Sequence, residues 1–191
     1  MNRHLSRTGL AIAVAAALAA AGCGDDDDDT AATTTTEADA PTETETVDIT
    51  AVNYAFQGVP ASVSAGSRLT LTNDSDDEVH EIVAIRIRDD VDLSVEDLLA
   101  LPEEESEEML TPGPPGAVIV AGPGEEGTAV AELGDGTLSE PGRYALVCFI
   151  PTGADPDEYF DPANQTEEGP PDVEGGPPHF TQGMFAELTV E

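Results

Sequence analysis

From Val47 to Val190 the apolar residues of this chain come in short runs, each cut off by Gly, Pro or Asp before a helix of ordinary length could form. Arg68-Leu-Thr-Leu-Thr72 alternates strictly between apolar and polar, which is the period of a half-buried strand. Glu81-Ile-Val-Ala-Ile-Arg-Ile-Arg88 is rich in β-branched residues and is the most strand-like run of all. Val47 to Phe56, the neighbourhood of Val63 before a turn at Ala65-Gly66, Ala117 to Ala121, Gly127 to Leu133, Arg143 to Phe149 and Phe185 to Val190 read the same way. About seven or eight short strands separated by Gly/Pro turns predict an antiparallel β-sandwich.

Two stretches interrupt the pattern. Within residues 90–114, Ser94-Val-Glu-Asp97 is close to a helix-capping box and is followed by Leu98, Leu99 and Leu101. It predicts one short inserted helix, broken or restarted at Pro102. Residues 150–178 are dominated by Pro, Gly and Asp with no periodicity, which predicts one long inserted loop. Nothing in that composition would hold its far end, next to His179, in place without a bound metal.

The first 46 residues belong to neither sheet nor insertion. Arg3, His4 and Arg7 precede an unbroken apolar stretch, Leu10 to Ala21, shorter than the roughly 20 residues a membrane-spanning helix needs. The stretch ends in Leu18-Ala-Ala-Ala-Gly-Cys23, which resembles a bacterial lipobox. Residues 1–23 are therefore expected to be a lipoprotein signal, with Cys23 lipidated and the protein held at the outer face of the cell membrane. Residues 24–46, including the run Asp25 to Asp29, carry almost only Asp, Glu, Thr and Ala and should form an acidic disordered tether. The domain proper is then 47–191.

Forty acidic residues face 6 basic ones, all arginine. Two of these, Arg3 and Arg7, lie in the signal, so the mature chain carries 4 − 40 = −36. Phosphate contacts need basic side chains, and nucleic acid is excluded as a partner. A basic partner protein is the natural complement.

Cysteine and histidine are scarce enough for each to matter: Cys23, Cys148, His4, His80 and His179. Once Cys23 is lipidated and His4 is cleaved away, one thiol and two imidazoles remain. A lone thiol outside the cytoplasm is exposed to oxidation and calls for an explanation. His80 stands at the entrance of the strand beginning at Glu81, Cys148 ends Tyr144-Ala-Leu-Val-Cys148, and His179 precedes Met184 in Pro177-Pro-His-Phe-Thr-Gln-Gly-Met184. Two His and one Cys in a plane with a weak axial Met form the ligand set of a blue-copper centre.

The same segments are similar to those of the cupredoxins, the plastocyanin- and azurin-like blue-copper proteins. Val63-Ser-Ala-Gly-Ser-Arg-Leu-Thr-Leu-Thr-Asn73 before His80 resembles the plastocyanin segment before the first copper histidine. Gly142-Arg-Tyr-Ala-Leu-Val-Cys148 resembles the strand into the copper cysteine, and the His179/Met184 spacing matches the final ligand pair. The resemblance covers Val47 to Glu191 outside the two insertions. It implies a Greek-key sandwich, copper as cofactor, and His80, Cys148, His179 and Met184 as its ligands. It also implies a monomeric one-electron carrier rather than an enzyme, since no coordination position is left open. The electron would leave through His179, beside a small apolar docking patch of Pro177, Pro178 and Phe180, toward a basic redox partner. A copper scavenging or delivery protein and a metal-free interaction module are the alternatives. Two features depart from the family. Residues 149–178 separate the cysteine from the second histidine, and Glu81 stands where an asparagine commonly hydrogen-bonds toward the cysteine sulfur. A carboxylate there is unfavourable to a thiolate unless it points away.

Overall fold

The computed structural model describes residues 45–165 and 170–191. The signal segment, Cys23 and all but the last two residues of the tether lie outside the described residues.

Two sheets face each other. The first has the order β2-β1-β4-β8 and is built from β1 (Thr46–Val52), β2 (Ala55–Gln57), β4 (Ser67–Asn73) and β8 (Thr137–Leu138). The second has the order β3-β10-β9-β5-β6-β7. Its strands are β3 (Ser62–Val63), β5 (His80–Arg86), β6 (Ala117–Ala121), β7 (Thr128–Ala129), β9 (Gly142–Val147) and β10 (Phe185–Val190). The neighbours β9-β5-β6-β7 are all antiparallel, and β9 returns to the free side of β5 after a long excursion, which is a Greek key. Within the sheets, β1 runs parallel to β4 and β3 parallel to β10, so the pairing is antiparallel with two parallel exceptions. Each exception joins strands that do not follow one another in sequence, which alternation alone could not reveal.

Alternation decides what is buried. Val47, Ile49 and Ala51 of β1, Leu69 and Leu71 of β4, and Ala117, Ile119 and Ala121 of β6 all point into the space between the sheets. The run Val47 to Phe56 is not one strand: it folds at Asn53, whose φ of 45° is a conformation Asn tolerates, into the β1–β2 hairpin. Gly127 to Leu133 is a strand only over β7 and then turns into a 3-10 helix, Ala131–Leu133.

The insertion at 90–114 holds two short helices, not one. The first, α1 (Val95–Leu99), is capped by Ser94, whose hydroxyl accepts from Asp97 N at 3.1 Å; the second, α2 (Glu103–Met109), restarts after Pro102. Proline cannot continue the first helix but suits the entry to the next. Val95 and Leu98 pack with Ile87, Val91, Ala145 and Val147 into a second apolar cluster. The second sheet is thereby covered on both faces, which explains why β9 is buried almost throughout while its side chains still alternate. Tyr144, Leu146 and Cys148 face the main core, and Ala145 and Val147 face the helices.

Leu98 is buried under this second cluster, whereas α2 contributes no buried residue. Leu98→Ala should lower unfolding free energy by roughly 2–5 kcal/mol in urea melts. Glu105→Ala on exposed α2 should stay within about 0.5 kcal/mol.

Candidate metal centre

Strand parity puts the ligand-bearing residues inside. His80 shares its face of β5 with Ile82 and Ala84, and Cys148 lies on the face of Tyr144 and Leu146. The β5–β9 register pairs Val83 with Val147, which sets the beginning of one strand beside the end of the other. The loop before His80 is fixed by Asn73, a fully buried amide. Its Nδ2 donates to the carbonyls of Glu78 (2.8 Å) and Ala121 (3.1 Å), and its Oδ1 accepts from Ser75 N and Oγ (2.9 and 2.7 Å).

His179 comes from the far end of the insertion, and here the structure corrects the sequence reading. That end is tied down by main-chain bonds that need no metal: His179 N donates to Ile150 O (3.0 Å) and Phe180 N to Cys148 O (3.0 Å). Thr152 N donates to Pro177 O (3.1 Å) and Gly176 N to Thr152 O (2.8 Å). A bridge between Pro151 and Pro178 completes a neck at which the insertion closes on itself. Gly175 is part of this closeness, since a Cβ there would stand 2.5 Å from Pro151 Cβ. Nor is the insertion only loop. Asp155 caps a helical turn, α3 (Pro156–Tyr159), and Ala154 and Tyr159 pack into the main core. One turn is too short to leave a periodic signal.

His80, Cys148 and His179 converge, with one ligand atom of each within 4.8 Å of the others and all three side chains fully buried. Nδ1 of His179 lies 3.2 Å from Nδ1 of His80 and 3.3 Å from Cys148 Sγ. Bond lengths of about 2.0–2.1 Å to nitrogen and 2.3 Å to sulfur, those of zinc, opened by 100–120°, would put nitrogens about 3.1–3.6 Å apart and nitrogen and sulfur about 3.3–3.8 Å apart. The two separations from His179 Nδ1 suit one shared ion, with the His80 and Cys148 ligand atoms within 4.8 Å of each other. Met184 is also fully buried, its carbonyl accepting from Cys148 N (3.2 Å) and its amide donating to His179 O (3.2 Å). Its main chain therefore abuts both neighbours.

Electrostatics match the geometry. Burial pushes the Cys148 thiol up to about 12, with the nearby Glu81 carboxyl adding to the effect. Burial and the neighbouring His179 bring His80 down to about 4, and burial lowers His179 against the opposing pull of Glu78. Without a cation the site holds two neutral imidazoles and a neutral thiol. A bound cation would make the thiolate the favoured form and release its proton.

Glu81 answers only part of the concern its sequence position raised, since its carboxyl still disfavours the thiolate. Its main-chain N–H points at Cys148 Sγ (3.4 Å), while its carboxylate Oε1 accepts from Phe149 N (3.1 Å). The backbone thus makes the contact to sulfur that the side chain could not. Burial raises the Glu81 carboxyl to about 7, opposed by the bond from Phe149.

Around the site, Pro177 is exposed and Pro178 and Phe180 are half-buried. Phe149, 37% exposed, packs edge-on against Phe180 with centroids 5.5 Å apart and extends the apolar surface. Sequence reasoning passed over Phe149, although a residue directly after Cys148 must face away from the core. His179 itself has no open edge: Tyr54 packs on its ring at 5.0 Å. Tyr54, Asn73 and Glu78 are the other residues that sequence reasoning did not single out. Asn73 and Glu78 stand beside and in the loop before His80, and Tyr54 lies in the β1–β2 turn with no sequence signal.

No protein-family model matches the chain, and neither does any curated protein sequence. Solved structures similar to it include dithionite-reduced auracyanin from the photosynthetic bacterium Roseiflexus castenholzii, at 21% identity and a TM-score of 0.42, covering 78% of this chain and 98% of that one. Auracyanin B is similar at 20% identity and a TM-score of 0.39, over 77% of this chain and 88% of that one. Auracyanin A, a "blue" copper protein from the green thermophilic photosynthetic bacterium Chloroflexus aurantiacus, follows at 17% identity and 0.41, over 76% and 98%.

The raised carboxyl of Glu81 has a consequence for pH. Its ordinary value is 4.5, so the stability that its protonated form contributes is complete below 4.5 and is lost as pH rises through about 7. Glu81→Gln removes that loss while still accepting from Phe149. The stability of the metal-free variant minus that of wild type should grow by about 3 kcal/mol between pH 4.5 and 7. A flat difference in denaturant melts across this window would show that the carboxyl is already ionised.

Proposed function

We propose that the protein is a copper-binding one-electron carrier, lipid-anchored at the outer face of the cell membrane. The observation that carries this reading is the buried convergence of His80 Nδ1, His179 Nδ1 and Cys148 Sγ at separations suited to one ion. Two imidazoles and one thiolate, with the Met184 thioether as the axial fourth, select copper over the oxygen-preferring cations. When bound, copper would supply a one-electron redox couple. The chain's part is to hold the ligands, to exclude water and to donate Glu81 N–H to the sulfur. Full burial of both imidazoles favours the carrier over a delivery protein, because handing over the ion requires a partner's ligand to reach it. No position is left for a substrate, which supports a carrier rather than an enzyme.

The partner would be a basic redox protein. The arginines at 86, 88 and 143 are already matched by Asp89, Asp90 and Glu187, so the acidic excess is left to act on the surroundings. Docking on Phe149, Phe180, Pro177 and Pro178 would bring that protein close to His179. Steering by charge makes association fall with ionic strength. Among the described residues no helix is long and apolar enough to cross a membrane. Attachment is assigned to Cys23 on its lipobox-like sequence alone, and the chain is taken to act as a monomer.

Purified full-length protein given Cu(II) should turn intensely blue or green from sulfur-to-copper charge transfer. Cys148→Ser should abolish the colour, and Met184→Ala should shift it while leaving binding mostly intact. Copper at a thousandfold over its dissociation constant should add about 4 kcal/mol of stability. A colourless protein whose melting ignores copper would leave only the metal-free interaction module.

The anchor has its own test. Cys23→Ala should abolish incorporation of a labelled fatty acid, and unchanged labelling would overturn the lipid assignment.

A further inference from the structure

The two imidazoles of the site are not held alike. His80 Nε2 is buried and meets no hydrogen-bond partner. His179 Nε2 is equally buried but lies 3.4 Å from Oε2 of Glu78, and the Glu78 side chain is only 18% exposed. That separation is longer than a strong N–H···O bond, yet no better acceptor serves this nitrogen among the described residues.

Glu78 is itself unusually well fixed. Its carbonyl accepts from Asn73 Nδ2 (2.8 Å) and Ser75 Oγ (2.8 Å), which pins the main chain two residues before His80. Its carboxylate takes Tyr54 Oη on Oε1 (2.9 Å) and Gly153 N on Oε2 (3.1 Å). The β1–β2 turn, the loop into β5 and the start of the long insertion thus meet on one carboxylate, beside the one imidazole that the insertion delivers. Tyr54 then lies over the His179 ring and shuts it from solvent.

We propose that Glu78 is a positioning residue for the metal centre: its carboxylate accepts the Nε2 proton of His179 and thereby turns the Nδ1 lone pair toward His80 and Cys148. The inference rests on the copper reading above. The chemistry is specific to this arrangement. A neutral imidazole carries one N–H, and with that proton on Nδ1 it would point into the space between the two other ligand atoms, where an ion must sit. With the proton on Nε2, the same ring presents a lone pair there, and the buried N–H faces a negative charge instead of apolar surroundings. The carboxylate behind the ring also makes it a stronger donor and favours the more highly charged oxidised ion. The Tyr54 and Gly153 bonds keep that carboxylate from swinging out to water.

Three measurements test this. In the metal-free protein, long-range ¹⁵N–¹H correlation of the His179 ring should place its proton on Nε2, and Glu78→Ala should shift it wholly or partly to Nδ1. Copper affinity should fall 10–100-fold in Glu78→Ala. Glu78→Gln keeps the shape but not the charge, and a tenfold selective loss of Cu(II) binding would appear as a potential raised by about 59 mV. Tyr54→Phe removes one of the bonds that hold the Glu78 carboxylate but leaves its charge and the Gly153 bond, so affinity and potential should shift in the same direction as in Glu78→Gln but by less. A wild-type ring protonated on Nδ1, a potential unmoved in Glu78→Gln, or equal losses in Tyr54→Phe and Glu78→Gln would each overturn the proposal. If Glu78→Ala does not fold, the wild-type tautomer and the Glu78→Gln potential decide. If wild type binds no copper, the copper reading fails, while the ring tautomer still reports on Glu78.

Discussion

Burying a thiol and two imidazoles side by side, with almost nothing to satisfy them, is an arrangement that a folded chain ordinarily avoids. Cys148, His80 and His179 are sealed from water; His80 Nε2 has no hydrogen-bond partner, and His179 Nε2 faces only the Glu78 carboxylate at 3.4 Å. Each unsatisfied buried polar group costs on the order of 1–3 kcal/mol. The apolar contacts of the sandwich and the double cover of the second sheet must offset that cost. The rest of the structure near the site serves to keep the three groups together despite it. Asn73 locks the approach to His80, the β5–β9 register sets Cys148 beside it, and the neck at Pro151 and Pro178 delivers His179. Such an arrangement makes physical sense as an anticipation of a cation.

What the sequence disclosed follows the same division. Strands whose side chains alternate between core and solvent were legible: Ala117 to Ala121 and Phe185 to Val190 match β6 and β10 end to end. So was the convergence of the scarce thiol and imidazoles, because so few residues could take part. What escaped depends on contacts between segments distant in sequence. The parallel partnering of β1 with β4, the two-residue β8 and the Asn53 turn leave no periodic trace. Glu78 and Tyr54 are 24 residues apart and look like ordinary surface residues until the fold brings them together. Glu81 misled for a related reason. Its side-chain type suggested repulsion from sulfur, and the carboxyl does push the thiol up, but its main-chain N–H also makes a contact that residue type could not reveal.

The insertion between Cys148 and His179 is where chain entropy and hydrogen bonding can be weighed directly. Lengthening a connection from about two to about thirty residues is almost four doublings, at about 0.6 kcal/mol each, or roughly 2.3 kcal/mol of extra closure entropy. If metal binding had to close that loop, the whole amount would be subtracted from affinity, close to two decades. Four main-chain bonds, from His179, Phe180, Thr152 and Gly176, instead close it at the neck. At about 1 kcal/mol each they supply roughly 4 kcal/mol, more than the extra closure entropy of the longer connection. Tyr159 and Ala154, packed in the main core, add to the balance on the same side. The entropic cost of the longer connection is therefore offset by bonds of the fold itself.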